Sequence, residues 1–250
     1  MAVPGSGATP LAPRLQPVLE AALGKGKGKG ACVADVGCYV GHLAIAMVQQ
    51  DPSVRVVATD RAEPPLTLAA QRAREVLTVA QLARLDFRQG HGFDALADGP
   101  NPAVACLAGL PAGLVLQLLP SAPNSLRRLV LQPSCPQPPQ AMMDLRSWLN
   151  DHGWLLVEER LTSERGGACL TLVADAEPEA PMPSPRRLGC LGEKLPPLLR
   201  PRVLAKCHQK EDAEVLAYLQ LLEEYLERVE DAQWKQVLQD ELALMQTPPP

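Results

Sequence analysis

The sequence predicts an α/β protein: an open sheet of five parallel strands, finished by an antiparallel hairpin and followed by a helical appendage. Three observations carry this expectation. Short apolar runs alternate with helix-patterned segments from residue 31 to residue 150, the rhythm of βαβ units around a parallel sheet. Two strand-like runs then follow one another across a connection too short for a crossover helix, which forces an antiparallel pair. Beyond a proline-rich stretch, no proline stands between Pro201 and Pro248, and apolar residues recur there at helical spacing.

Taken in order, residues 1–13 form a Pro-rich N-terminus expected to be flexible, and 15–23 a short helix stopped by Gly24. Residues 31–36 read as a strand and 41–50 as a helix, 54–59 as a strand and 66–77 as a helix. Residues 84–89 make a third strand, 102–108 a fourth and 113–119 a short helix. A fifth strand at 126–131 precedes a Pro-rich loop and a helix at 142–150. The hairpin runs are 154–161 and 168–174. Pro178, Pro181, Pro183 and Pro185 mark 177–201 as a linker. Val215, Leu219, Leu222, Leu226 and Val229 then follow 4-3-4 spacing, and Trp234, Leu238 and Leu242 extend the stripe, so 202–247 is expected as one kinked or two packed amphipathic helices. The main domain is therefore 14–176. Its layout resembles the Rossmann-like sheet of class I methyltransferases.

Composition narrows the class. Of 250 residues 46% are hydrophobic, enough for one sizeable core, and only 3% are aromatic, so aliphatic side chains do the packing. No apolar run reaches the ~18 residues of a membrane span, and no secretory h-region opens the chain. Seven cysteines without a C-x-x-C pair read as small buried hydrophobes in a reducing compartment, without a metal site. Cytoplasm is the expected location, with an organelle left open. Between Lys210 and Thr247 ten acidic residues face three basic ones, a net of −7, so the remaining 21 basic and 18 acidic residues leave a body of +3. That body permits a polyanion partner, while the acidic helices suit a protein partner or self-association.

The segment Val33-Ala34-Asp35-Val36-Gly37-Cys38-Tyr39-Val40-Gly41-His42 sits where the first strand turns into a helix. Glycines there let a ligand approach the backbone, and Asp35 can orient an ammonium group. The usual D-x-G-x-G-x-G pattern has Tyr39 in place of its middle glycine. Asp60 closes the second strand about twenty residues later, where a carboxylate accepts hydrogen bonds from ribose hydroxyls or caps the next helix. Without a full G-x-G-x-x-G, S-adenosylmethionine fits better than a nicotinamide cofactor. The third strand ends at Gly90-His91, where His91 could meet an adenine.

Further stretches carry a family resemblance. Phe87-Arg88-Gln89-Gly90-His91-Gly92-Phe93, Cys106-Leu107-Ala108-Gly109-Leu110 and Arg128-Leu129-Val130-Leu131-Gln132-Pro133-Ser134 follow each other in order. Arg146-Ser147-Trp148-Leu149 and Gly153-Trp154-Leu155-Leu156-Val157 come next. Together they resemble the bacterial TrmK-type tRNA adenine-N1 methyltransferases, from about residue 14 to the acidic helices. The resemblance implies methyl transfer from S-adenosylmethionine to adenine N1 of tRNA, at the position-22 site. It also implies that Asp35, Gly37, Cys38, Gly41, Asp60, Gly90 and His91 line the cofactor. Gly109, Leu110, Gln132 and Pro133 would face the target base. The chain departs from the family pattern at Tyr39, Val40, Pro111 and Ser134.

Adenine N1 can itself attack a sulfonium methyl, so positioning and desolvation matter more than a nucleophilic side chain. No general base stands out; His42 and His91 are the candidates by residue type. The base would have to leave its stack to reach such a site. Phosphate contacts could come from Lys25, Lys27 and Lys29, from Arg127 and Arg128, from Arg186 and Arg187, and from Arg200, Arg202 and Lys206. Two other readings stay open: a binding or scaffold protein that kept only the fold, and a methyltransferase acting on another RNA, a protein or a small molecule.

Overall fold

The computed structural model describes residues 11–24, 31–99, 101–134, 139–164, 167–176 and 213–228, with isolated positions at 232, 235, 236, 239, 242 and 243. It divides into two units. The first comprises residues 1–110 and 117–132, the second residues 111–116 and 133–250.

The first unit is built on five strands: β1 (Cys32–Val36), β2 (Arg55–Asp60), β3 (Leu85–Gln89), β4 (Val104–Ala108) and β5 (Arg128–Gln132). They are all parallel, in the order β3-β2-β1-β4-β5. The order reverses between β1 and β4, which pair through Val33↔Val104 and Asp35↔Cys106. Central strands of such a sheet are covered on both faces, so Val33, Ala34, Val104, Ala105, Leu129 and Val130 are all fully buried. Around them lie α1 (Gln16–Leu23), α2 (His42–Gln50) and α3 (Glu63–Val76). The third helix starts three residues before the sequence expectation because Pro64 and Pro65 occupy its first turn, where a missing N–H costs nothing. A one-turn helix α4 (Val79–Leu82), not anticipated, is held by a capping box between Thr78 and Gln81. Residues 11–13, expected to be flexible, lead into a 3-10 turn at Pro13–Leu15 that buries Leu15.

The short helix α5 (Ala112–Leu118) begins in the second unit's residues and ends in the first's. The second unit holds α6 (Pro139–Asp151), the strands β6 (Trp154–Glu164) and β7 (Gly167–Ala176), and α7 (Ala213–Arg228). The two strands are antiparallel, as expected, from Trp154↔Ala176 to Glu164↔Gly167, with a register shift between Leu156 and Glu158. Helix α6 buries Met142, Met143, Leu145 and Leu149, and Arg146 from the same face reaches the buried Glu159 of β6 at 2.6 Å. Helix α7 packs on β7 and β6, with Leu222 buried as its stripe requires and Leu216 exposed. The linker expected at 177–201 lies outside the described residues, as do Trp234 and Leu238 of the second stripe.

Cys32, Cys38 and Cys106 are free thiols, the last two buried, as their apolar settings suggested. Cys169 corrects that reading: it is equally buried but disulfide-bonded. Folding brings it to another sulfur, a pairing that residue spacing does not encode.

Candidate cofactor and substrate site

The candidate residues lie at the carboxyl ends of β1, β2 and β4, where the strand order reverses, the place at which open α/β sheets bind ligands. The chain leaves β1 through a tight turn. Gly37 (φ 76°) and Gly41 (φ 73°) are left-handed, and Tyr39 joins them at φ 51°. The amides of Gly37 and Cys38 both donate to the Thr59 carbonyl, at 2.8 and 2.9 Å, and Gly41 N–H donates to Cys38 at 2.9 Å. A Cβ on Gly37 would stand 2.7 Å from the Leu110 side chain, and one on Gly41 3.0 Å from Ala69 and 3.1 Å from Phe87. These two glycines therefore answer to both conformation and space.

Asp35 is 3% exposed, and its Oδ2 has no hydrogen-bond partner. Burial pushes its carboxyl up to about 7, against the Ala44 amide that favours the charged form, and the nearby Asp60 adds to the rise. A buried carboxylate oxygen lacking a donor, beside a glycine turn, is suited to a cationic ammonium group. The residues present thus fit the amino-acid end of S-adenosylmethionine.

Asp60 ties the neighbouring loops together. Its Oδ2 accepts the Tyr39 amide and its Oδ1 the Ala62 amide, both at 2.9 Å, and its carbonyl accepts Gly90 N–H at 3.0 Å. The N-cap of α3 is Ala62 rather than Asp60, so the capping role considered for Asp60 is not the one it performs. Gly90 and the exposed His91 close the same edge, where His91 accepts the Asp94 amide through its carbonyl. His42 is directed elsewhere. Its Nε2 lies 3.2 Å from Arg72, and it lines a shallow pocket with Leu11, Ile45 and Gln49; burial and then Arg72 lower its pKa.

Among the residues expected to face the target base, the Gly109 amide donates to the Gln132 carbonyl at 2.8 Å, and Leu110 packs against the Gly37 turn. Leu110 therefore borders the turn after β1 as well. Gln132 is fully buried and Pro133, the first residue of its stretch of the second unit, is also buried. Sequence reasoning missed Arg14, whose guanidinium donates to Gln132 Oε1 at 3.1 Å across 118 residues of chain. No spacing signal can reveal a contact that distant. Arg127 and Arg128, considered for phosphate contact, are engaged with the protein: Arg127 donates to the Asn124 and Leu126 carbonyls and Arg128 to that of Ala21. The other basic clusters lie outside the described residues. No candidate metal cluster occurs among the described residues, and none of their helices is long and apolar enough to cross a membrane.

A parallel sheet reversed between β1 and β4, with a glycine turn and a buried acid at the reversal, defines the Rossmann-like fold of class I methyltransferases. The family model for TrmK, tRNA (adenine(22)-N(1))-methyltransferase, matches residues 33–246, and the chain belongs to this family. A Mycoplasma pneumoniae protein described as "Putative tRNA methyltransferase" is 32% identical over 142 residues, 56% of this chain and 62% of that protein. The chain thus spans less than two thirds of that relative's length. Among solved structures, M. capricolum TrmK in complex with S-adenosyl-homocysteine superposes with a TM-score of 0.64 at 15% identity, covering 94% of this chain and 96% of that one. The B. subtilis M1A22 tRNA methyltransferase TrmK gives 0.61 at 22% identity, covering 94% and 97%. At these identities the likeness speaks for the fold.

Proposed function

We propose that this chain transfers a methyl group from S-adenosylmethionine to N1 of adenine in tRNA, at the position-22 type of site that names its family. The observation that carries the reading is the unpartnered Asp35 oxygen, buried beside the Gly37–Gly41 turn. When bound, S-adenosylmethionine supplies an electrophilic methyl group that adenine N1 can take with its own lone pair.

The chain's residues then have to bind, orient and exclude water. Asp35 pairs with the ammonium group, and the Gly37 and Gly41 turn admits the ligand to the backbone. Cys38 lines that turn, Asp60 accepts from the ribose with the lone pairs its two amide contacts leave over, and Gly90 with His91 borders the adenine. Gly109, Leu110 and Gln132 face the target base. His42 is turned toward Arg72, and methyl transfer itself requires no proton acceptor. A tRNA substrate also suits a cytoplasmic site of action.

Incubation of the purified protein with methyl-labelled S-adenosylmethionine and unmodified total tRNA tests the proposal. Label recovered as 1-methyladenosine is the expected result. Cofactor binding without label in tRNA would overturn the substrate, and no binding at millimolar cofactor would overturn the enzyme.

A further inference from the structure

Arg14 stands in the Pro13–Leu15 turn, anchored by the buried Leu15 at the start of α1, which lies on β4 and β5. Its Nη1 donates to Gln132 Oε1 at 3.1 Å, while its main-chain carbonyl accepts from Gln132 Nε2 at 2.7 Å. Its guanidinium also reaches the end of β4, where a Cβ on Gly109 would stand 3.5 Å from it. One residue thus reaches toward both strand ends.

The two ends of a glutamine amide have nearly the same shape, so only their partners decide which way it points. Arg14 donates to one end of this amide and accepts from the other. A flipped Gln132 would set N–H against the guanidinium and oxygen against the carbonyl, both repulsive. We infer that Arg14 is a positioning residue for the substrate base, holding the buried Gln132 amide in a single orientation at the ends of β4 and β5. Gln132 has no exposed surface, so its fixed amide bears on the base through the strand ends it holds in place, where the Gly109 amide donates to its main-chain carbonyl at 2.8 Å. The inference rests on the methyl-transfer reading and adds a residue to it.

Steady-state kinetics on tRNA for wild type, Arg14→Ala and Arg14→Lys test it, with cofactor affinity from calorimetry and thermal unfolding measured alongside. Arg14→Ala should lower kcat roughly tenfold to a hundredfold, as misplacement does, while cofactor Kd stays within about twofold. Arg14→Lys, retaining one donor, should fall in between, and guanidinium ion at millimolar concentration should restore part of the Ala variant's kcat. Wild-type kcat in Arg14→Ala, or a loss that follows cofactor Kd, overturns the inference. Should the Ala variant not fold, Arg14→Lys decides: a several-fold lower kcat at wild-type Tm supports the inference and an unchanged kcat overturns it. A wild type that binds cofactor without methylating tRNA overturns the methyl-transfer reading and this inference together, whereas an active wild type with unaffected variants overturns the inference alone.

Discussion

The main-chain amide of Tyr39 donates to Asp60 Oδ2 over 2.9 Å, so the carboxylate closing β2 holds the turn that closes β1. The same carboxylate takes the Ala62 amide through its other oxygen. Asp60 therefore holds the turn after β1 and the start of α3 together. Asp60→Ala should weaken S-adenosylmethionine binding by about 1–3 kcal/mol and also lower Tm, because two amides lose their acceptor. Asp60→Asn, with one carbonyl oxygen left, should do less of both. Calorimetry and thermal unfolding read the two effects separately, and unchanged affinity in a folded Ala variant would remove Asp60 from the site.

Asp35 predicts a pH dependence. Its carboxyl rises from 3.8 to about 7 in the folded protein, so there the fold keeps a proton that the unfolded chain releases near pH 4. This group's stabilisation is full below that lower value and is lost as pH rises through about 7. Asp35→Asn should flatten the dependence of Tm on pH across that window and raise Tm at about pH 8, by roughly 2–4 °C for each kcal/mol gained. Cofactor affinity should move the opposite way. With Asp35 pairing with the ammonium group as proposed, wild-type affinity should climb between about pH 6 and 8, with proton release on binding at the lower pH. The Asn variant should bind weakly and without that slope.

Tyr39 is a bulky residue in a left-handed backbone, 65% exposed, an unfavourable conformation for such a side chain. Such a position costs about 1–3 kcal/mol, against about 0.5–1 kcal/mol of extra chain entropy lost by a glycine. Tyr39→Gly should therefore stabilise the protein by about 1 kcal/mol, an upward shift of roughly 2–4 °C in Tm. A fall in Tm would mean that the ring contributes contacts outweighing the strain.

Arg146 and Glu159 form an ion pair at 2.6 Å with side chains only 2% and 0% exposed. Arg146→Ala should destabilise by about 3–5 kcal/mol, the cost of removing one member of a buried ion pair. Replacing both by apolar residues of similar volume should be far milder. Urea unfolding of the single and double variants tests this, and equal losses would show that packing rather than charge is at stake.

Much of the fold was legible in the chain because buried parallel strands must be apolar on both faces, and runs such as 31–36 and 102–108 announce themselves in that way. The antiparallel hairpin followed from the short connection between its strands, and Asp35, Gly37, Gly41 and Asp60 from their spacing at strand ends. Those are local relations, written within a few residues or one βα unit. Periodicity alone did not reveal the early start of α3, the one-turn α4 or the disulfide of Cys169. Nor could it show His42 turning to Arg72, Leu110 closing on Gly37, or Arg14 gripping Gln132. These depend on which side chains meet once the sheet has ordered its strands β3-β2-β1-β4-β5, and contacts between distant segments leave no period to read.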